Sequence, residues 1–375
     1  MHPTIHQIPL ATLTSGDTLF LQAYQFRGQQ PGKKVYIQSN LHGAEIVGNA
    51  VIYELIQFLR NIDVSQLTGE IWLVPLCNPL GSNQRTHYFS SGRFNSYDGR
   101  DWNRIFWEYR SDADDLDDFV QAHFDSSPAD IQQHYRQRIL KAFAQLEQAI
   151  ASPKGVPFRD QYRYRLQTLC LDADYLIDLH SSSNQGINYL YYFPQREESA
   201  RLFLLPAGIL LDHYDGDAFD EAFIKPWLAL EHCFAQHGRD LQFDVEAWTL
   251  ELGTGLRIQP ESVAKGLRGI KNYLTYKGSL SLSGFPVDAP SYHDVRFTAT
   301  SKLARYYAPR GGMVQPVASL GALVDAGQPL YQLLSFDKRQ PEPKTLVVHA
   351  EQDGLIFDMA MNQAVNQGEY VLGIL

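Results

Sequence analysis

An apolar strand–helix–strand succession between residues 34 and 74 constrains the fold of this 375-residue chain more than any other feature. Residues 34–38 alternate like a strand, residues 46–60 have the apolar period of a helix, and residues 71–74 form a short apolar run. Strand, helix and strand in this order predict two parallel strands joined by a right-handed crossover. The sequence therefore predicts an α/β fold.

Other periodic segments extend this pattern along the chain. The further predicted elements are an edge strand at residues 18–26, strands at 175–179, 187–193 and 244–252, and helices at 128–150, 217–236 and 261–276. The strongly acidic residues 108–118 are interpreted either as a solvated face or as a lid over a site.

After about residue 286 the pattern of apolar and glycine residues changes. Short apolar pieces alternate with glycine turns at intervals of about 8 to 12 residues, which is typical of an all-β structure. Two similar halves, at residues 308–330 and 350–371, resemble the flattened barrel of biotinyl and lipoyl carrier domains. No lysine stands at the exposed hairpin tip of a carrier motif, so we expect a structural role or a lid.

Composition and charge exclude several classes of function. A net charge of −10 argues against a nucleic-acid partner, which needs a basic surface. The longest apolar runs fall short of a membrane span, and no signal peptide is visible. Three widely spaced cysteines suit a reducing compartment. The sequence predicts a cytoplasmic protein without a membrane partner.

His42 and Glu45 follow the strand at residues 34–38 and precede the helix at residues 46–60. They therefore lie at the carboxyl end of a strand, the edge of an α/β sheet where ligands bind. An imidazole and a carboxylate three residues apart are able to face one zinc ion, and Gly43 lets backbone approach closely. Taken alone, the pair also fits polar residues at the start of a helix.

His180 follows the apolar strand at residues 175–179. If this strand runs parallel to and beside residues 34–38, His180 joins His42 and Glu45 at the same crevice. Three protein ligands with one open position are typical of a catalytic zinc site. Asp178, two residues earlier, either supports a ligand histidine or points to the opposite face.

The long aperiodic segment between residues 77 and 107 carries the candidate residues Arg93, Asn103 and Arg104. Arg93 and Arg104 each offer a rigid fork for a carboxylate or a developing oxyanion, and Asn103 offers an amide donor. Surface ion pairs remain an alternative for either arginine. Such a long loop inside a compact domain is usually functional or disordered, and its aromatic residues argue against disorder.

Glu251 is the candidate general base, because it lies near the end of the strand at residues 244–252. Glu246 is the competing carboxylate on that strand. Five positions separate the two, so a regular strand places them on opposite faces. We therefore expect only Glu251 to face the crevice.

The chain resembles the succinylglutamate desuccinylase/aspartoacylase family, a branch of the zinc carboxypeptidase superfamily. The motifs that carry the resemblance are His42-Gly43-Ala44-Glu45, Asn78-Pro79, Asp101-Trp102-Asn103-Arg104-Ile105-Phe106 and Asp178-Leu179-His180. The resemblance implies a three-layer α/β/α mixed sheet of the zinc-carboxypeptidase type over residues 1–290, with a helical insertion at about 108–165. It further implies a small all-β barrel-sandwich domain over residues 291–375.

The resemblance also implies a reaction: hydrolysis of the amide bond of an N-acyl amino acid, or a related small amide, by zinc-activated water. It implies one Zn²⁺ per chain held by His42, Glu45 and His180, a general base in Glu251, an oxyanion stabiliser in Arg93, with Arg85 a weaker candidate, and a carboxylate grip in Asn103 and Arg104. The expected partner is thus a small-molecule N-acyl amino acid.

Two alternatives stay open from the sequence. The same ligands suit a zinc carboxypeptidase that acts on a peptide or cell-wall peptide. A non-catalytic metal-binding module is the second alternative, although all three ligands and the base are present. The long insertion, and Trp102 in place of the family's usual leucine, leave the identity of the substrate open. Whether the chain forms a homo-oligomer is a separate open question.

Overall fold

The computed structural model describes residues 1–85, 90–111, 113–214, 216–286, 295–336 and 342–375. Within them the helices are α1 (Val47–Asn61), α2 (Pro79–Asn83), α3 (Ala113–His123), α4 (Pro128–Ile150), α5 (Phe158–Gln167), α6 (Glu197–Arg201), α7 (Phe219–Gln236) and α8 (Pro260–Tyr276). The strands are β1 (Thr4–Thr12), β2 (Thr18–Arg27), β3 (Gln30–Ser39), β4 (Thr68–Val74), β5 (Tyr175–Ser182), β6 (Gln185–Gly186), β7 (Asn188–Tyr192), β8 (Ala207–Leu210), β9 (Glu246–Thr254), β10 (Arg296–Ala299), β11 (Ala304–Tyr307), β12 (Gly312–Pro316), β13 (Leu323–Val324), β14 (Pro329–Ser335), β15 (Lys344–His349), β16 (Gly354–Met359), β17 (Ala364–Val365) and β18 (Tyr370–Ile374).

A large mixed sheet dominates the fold. In the described residues its strand order is β1-β2-β4-β3-β5-β9-β7-β8-β10. Strands β4, β3, β5 and β9 are parallel neighbours, as the strand–helix–strand pattern predicts. Strands β1, β2 and β4 pair antiparallel, and β7 pairs antiparallel with β9. The fold is thus mixed α/β.

The four central strands are the most deeply buried part of the sheet. All eight residues of β5 are buried, and the last five residues of β3 are buried as well. Side chains that alternate along β3 enter two different apolar cores. Val35 and Ile37 belong to a core with α1 and α8, whereas Tyr36 belongs to a core with α3, α4, α5 and α7. This double burial explains the near-continuous apolar runs of the central strands.

Most predicted elements agree with the structure. Helix α4 has the predicted bounds, because Ser127 caps it through the Asp130 amide and Pro128 occupies its first turn. Residues 18–26 form a strand as predicted, but its predicted position at the edge of the sheet is wrong: β2 lies between β1 and β4, and β1 is the edge. The sequence of strand β1 does not predict it, because Ile5 faces solvent whereas the polar His6 is half-buried, so apolar and polar residues do not alternate in the usual way.

Two further antiparallel sheets are built from the end of the chain. Their orders are β11-β18-β16-β13 and β15-β14-β12-β17, and they share one apolar core. Strand β6, which follows β5 in the chain, pairs with β16, so the end of β5 is joined to these C-terminal sheets. The predicted boundary between residues 290 and 291 lies outside the described residues.

Candidate active site

His42 and Glu45 lie on the turn between β3 and α1, as the sequence predicts. Asn40, which has a positive φ of 70°, begins this turn, and its Nδ2 donates hydrogen bonds to the carbonyls of His42 and Gly43. A Cβ on Gly43 would lie 2.0 Å from the Gly81 carbonyl oxygen, so only glycine fits there. The turn is therefore held rigidly, and both side chains are buried.

The three predicted metal ligands converge. Nδ1 of His42 lies 2.9 Å from Oε1 of Glu45, and Nδ1 of His180 lies 2.8 Å from Oε2 of the same carboxylate. The three ligand atoms lie within 4.8 Å of one another, and all three residues are buried. The parallel register of β3 and β5, with Ser39 beside Leu179, brings the two histidines to one end of the sheet.

A carboxylate stands behind each histidine. Nε2 of His180 donates to Oδ2 of Asp178 at 2.9 Å, and Nε2 of His42 donates to Oδ1 of Asp101 at 3.0 Å. These bonds fix both rings with Nδ1 toward Glu45, the arrangement that carboxylate–histidine–metal sites use. Asp178 thus points at His180 rather than at the opposite face.

Arg93 reaches the edge of this cluster. Its Nε donates to Oδ2 of Asp101 at 2.8 Å, and its Nη1 lies 3.8 Å from Oε1 of Glu45 and 3.3 Å from Oγ of Ser183. The guanidinium is therefore oriented at one end and faces the ligand carboxylate with the other. Arg85, the weaker candidate for the same position, donates to the neighbouring Gln84 carbonyl instead.

Glu251 lies beside the ligands, because its Cα pairs with that of His180 across β5 and β9. Its buried Oε2 atom has no hydrogen-bond partner among the described residues. Glu246, on the opposite side of the strand, is instead bonded to Lys277, Ser199 and Tyr273. The structure thus separates the two carboxylates as their odd spacing predicts.

The cluster strongly shifts the acidities of its members. Burial opposes ionisation of Glu45, yet the imidazoles of His42 and His180 hold its pKa well below the usual range. Burial also opposes charge on His180, but Asp178 and Glu45 raise its pKa well above the ordinary value. Loss of solvation raises the pKa of Glu251 to about 7, with His180 opposing and Glu45 reinforcing that rise. A carboxyl with such a pKa suits proton transfer near neutrality.

Asn103 and Arg104 line the same cleft but have different surroundings. Asn103 is buried, its Oδ1 accepts from the Phe219 amide at the start of α7, and it lines the cleft. Arg104 is partly exposed, and its Nη1 donates to the Asn103 carbonyl at 2.6 Å. Both side chains therefore border the space next to the histidines.

The cleft has a volume of about 630 Å³ and contains all seven predicted site residues. Arg305 and Thr300 border it from the end of the chain. Close by, Asp358 of β16 accepts from Ser182 at 2.5 Å and from Asn184 at 3.0 Å. These bonds tie the segment after β5 to the C-terminal sheets, so those sheets bound the cleft on one side.

The donor set fits a zinc ion. Two imidazole nitrogens and one carboxylate oxygen are ligands that zinc takes, and three protein ligands leave a position open. The carboxylates of Asp101 and Asp178 supply the outer hydrogen bonds that such histidines need. An ion of this kind would also offset the negative charge of the buried carboxylates.

Several residues at the site were not predicted from the sequence. Asp101 stands in a motif that was recognised, but its bond to His42 carries no sequence signal. Ser183, Arg305 and Asp358 gave no signal, because their position depends on how distant strands pack. None of the described residues 108–111 and 113–118 lines the cleft, which favours a solvated face over a lid.

Comparisons with known proteins agree with the family resemblance seen in the sequence. Residues 31–140 match the model of the succinylglutamate desuccinylase/aspartoacylase catalytic domain. A crystal structure of a succinylglutamate desuccinylase/aspartoacylase family protein from Shewanella amazonensis SB2B is similar at 30% identity and a TM-score of 0.87, covering 99% of this chain and 98% of that chain. No curated protein matches the chain.

Two other solved structures are similar over the whole chain. One is a succinylglutamate desuccinylase/aspartoacylase of Shewanella frigidimarina NCIMB 400, at 27% identity and a TM-score of 0.88, covering 100% of this chain and 97% of that chain. The other is the product-bound ectoine utilization protein EutE (DoeB) of Ruegeria pomeroyi, at 16% identity and a TM-score of 0.67, covering 100% of this chain and 95% of that chain. This last likeness concerns the fold alone.

Proposed function

This chain belongs to the succinylglutamate desuccinylase/aspartoacylase family of hydrolases, and on that premise we propose that it is a zinc-dependent amidohydrolase. Its proposed substrate is an N-acyl amino acid or a related small amide. One observation carries the proposal: the converging His42, Glu45 and His180 stand beside Glu251, whose buried Oε2 has no partner among the described residues.

In this proposal His42, Glu45 and His180 hold one Zn²⁺ per chain. The bound ion supplies Lewis acidity, which makes a water molecule more acidic and polarises the scissile carbonyl. Asp101 and Asp178 keep the two imidazoles oriented through their Nε2 atoms. The fixed ring orientation means that little reorganisation is needed on binding.

Glu251 is the proposed general base. Its Oε2 takes a proton from the attacking water and later delivers a proton to the nitrogen of the leaving amine. The low-polarity surroundings that raise its pKa to about 7 support both transfers, because a carboxyl with that pKa gains and loses a proton readily near neutrality.

Arg93 is the proposed oxyanion stabiliser. Asp101 holds its Nε, which leaves the Nη1 end directed toward the ligands, where negative charge develops on the carbonyl oxygen. Arg104 and the NH₂ group of Asn103 are the proposed grip on a substrate carboxylate. A cleft of about 630 Å³, bounded by the C-terminal sheets, supports a small substrate over a long peptide.

A substrate screen tests the proposal. The zinc-loaded protein would be assayed against N-acetyl, N-succinyl and N-aspartyl amino acids, and against peptides with a free carboxyl terminus. We expect release of the amino acid from at least one N-acyl class, and none from the Glu251→Gln variant. Faster cleavage of peptides than of every acyl amino acid would favour the carboxypeptidase alternative. Metal binding without hydrolysis of either kind would favour the non-catalytic module.

We also infer the finer architecture. The two apolar cores reached by alternate side chains of β3 support three layers, with helices on both faces of the sheet. The shared core of the C-terminal sheets supports the barrel-sandwich domain, proposed to begin at residue 291.

Three free cysteines are compatible with the proposed cytoplasmic location. A homo-oligomer remains a proposal.

No described helix is long and apolar enough to span a bilayer.

A further inference from the structure

A second group of ligand-type side chains lies where α3 packs against α7. Asp117 of α3 and Cys233 of α7 are in contact, with Oδ1 and Sγ 3.1 Å apart. His237, at the end of α7, places its Nε2 4.0 Å from the same Oδ1. The ligand atoms of the three residues lie within 4.8 Å of one another. Thiol, imidazole and carboxylate thus meet at one point.

The orientation of His237 is set by the backbone. Its Nδ1 lies 2.9 Å from the Cys233 carbonyl oxygen and donates to it, one turn earlier in α7. A neutral imidazole that donates through Nδ1 carries its lone pair on Nε2, the atom that faces Asp117. A hydrogen bond from the other ring nitrogen to a carbonyl is how metal-binding histidines are commonly held.

We infer that Asp117, Cys233 and His237 form a second, independent metal site for a borderline-soft divalent cation of the zinc type. Thiolate and imidazole select such ions, whereas carboxylate and water suit magnesium or calcium. With metal–ligand bonds of about 2.0 to 2.3 Å, tetrahedral ligands stand roughly 3.3 to 3.7 Å apart. Two of the separations lie within a few tenths of an ångström of this range: Sγ to Oδ1 at 3.1 Å and Nε2 to Oδ1 at 4.0 Å. The third pair lies within 4.8 Å.

Burial and exposure at this site suit metal entry. Cys233 is buried, whereas 47% of the Asp117 side chain and 31% of the His237 side chain are exposed, so an ion has a path and water has a fourth position. Only the thiolate is a metal ligand, so a bound cation takes the place of the thiol proton and removes the repulsion between thiolate and carboxylate.

The site is separate from the catalytic cleft. Helix α7 has 18 residues, which corresponds to roughly 27 Å, and the cleft is at its amino end, where Ala218 and Asp220 line it. The inferred ion joins α3 to the far end of α7. Its expected effect is to stabilise this helix pair, and hydrolysis does not depend on it.

Cobalt titration tests the inference. Metal-free, full-length protein would be titrated with Co²⁺ while near-ultraviolet absorption is recorded. We expect a sulfur-to-cobalt charge-transfer band whose amplitude corresponds to one bound Co²⁺ per chain, within a total uptake of about two ions. Since the His42, Glu45 and His180 donors contain no sulfur, the band reports on the second site alone. It should persist in His180→Ala, so the failure of one site does not imply the failure of the other.

Variants complete the experiment. Cys233→Ser should remove the band, and His237→Ala should weaken cobalt binding at this site by more than about tenfold. Cys170→Ser, a change at another buried cysteine, is the matched control and should keep the band. His237 is exposed, so its variant is expected to fold, as circular dichroism would check. The inference is overturned if the folded parent protein shows no band, or if Cys233→Ser retains it.

Discussion

Nδ1 of His180 lies 2.8 Å from Oε2 of Glu45, although the two residues are 135 positions apart in the chain. Adjacent parallel strands explain the contact: β3 and β5 end at the same edge of the sheet, and each places one of the two residues at or just after its carboxyl end. Glu45 also contacts His42 at 2.9 Å, so a single carboxylate joins both imidazoles. The predictions below depend on this arrangement.

Glu251→Gln should retain bound metal and lose hydrolysis. Glutamine preserves the size of the side chain but cannot accept the proton of water, and general-base catalysis contributes about 10² to 10⁴ in rate. The checks are kcat with an N-acyl amino acid and elemental analysis of the variant. Activity within a few-fold of the parent would show that another group is the base.

The matched control is Glu246→Gln, on the opposite side of β9. Because Glu246 bonds Lys277, Ser199 and Tyr273 rather than the cleft, this variant should lower the Tm and leave kcat unchanged. A comparable loss of kcat in both variants would indicate that the strand, and not the base, had been damaged.

Asp178→Asn should weaken metal binding by about 10- to 100-fold, because the ring of His180 loses the carboxylate that fixes its orientation. Competition with a chromophoric chelator would measure the affinity. Asp172→Asn, which removes a half-exposed partner of Lys34, serves as a control with unchanged affinity. Equal affinities in both variants would remove Asp178 from any role in holding the ligand.

Arg93 and Arg104 should affect different kinetic parameters. Arg93→Lys should lower kcat by about 10² with little change in KM, because lysine cannot keep both the bond to Asp101 and the approach to the ligands. Arg104→Lys should raise KM for a carboxylate-bearing substrate by about tenfold and spare kcat. The opposite pattern would exchange the two proposed roles.

Lys277→Met should destabilise the fold by about 3 kcal/mol at neutral pH, because it leaves the buried Glu246 carboxylate without its cation. Chemical denaturation would measure the change. Lys265→Met, which breaks only the exposed pair with Glu261, should have no measurable effect. A parent-like free energy of unfolding for Lys277→Met would contradict this account of the pair.

The pKa shifts of Lys277 and Asp244 determine how the stabilisation by Lys277 depends on pH. Burial lowers the pKa of Lys277, but Glu246 outweighs it and raises the value above the ordinary 10.5, so the contribution is lost as pH rises through the raised pKa. Burial raises the pKa of Asp244, but Lys277 outweighs it and lowers the value below the ordinary 3.8. That contribution is lost as pH falls. The stability difference should therefore be largest between these limits.

The sequence predicts the central sheet and the convergence of His42, Glu45 and His180 because both depend on local patterns. The alternation of residues 34–38, and the continuous apolar run before His180, fix where strands end, and strand ends fix where ligands meet. The odd number of positions between Glu246 and Glu251 likewise predicts that they lie on opposite faces of β9.

The remaining contacts depend on packing between distant segments. Asp101 reaches His42 from an aperiodic loop, and Asp358 reaches Ser182 across 176 positions, so neither bond has a local signature. Strand β1 likewise lacks a local signature, and its pairing with β2 defines it. Sequence patterns locate the ligands, whereas their supporting bonds require the three-dimensional fold.

Zinc content, measured together with hydrolysis, tests the central claim most directly. The measurement uses the Cys233→Ser background, so that only the cluster of His42, Glu45 and His180 is counted. We predict about one zinc per chain with activity in this background, and loss of both after the additional change His180→Ala. Full zinc content and undiminished hydrolysis in the His180→Ala protein would contradict the account.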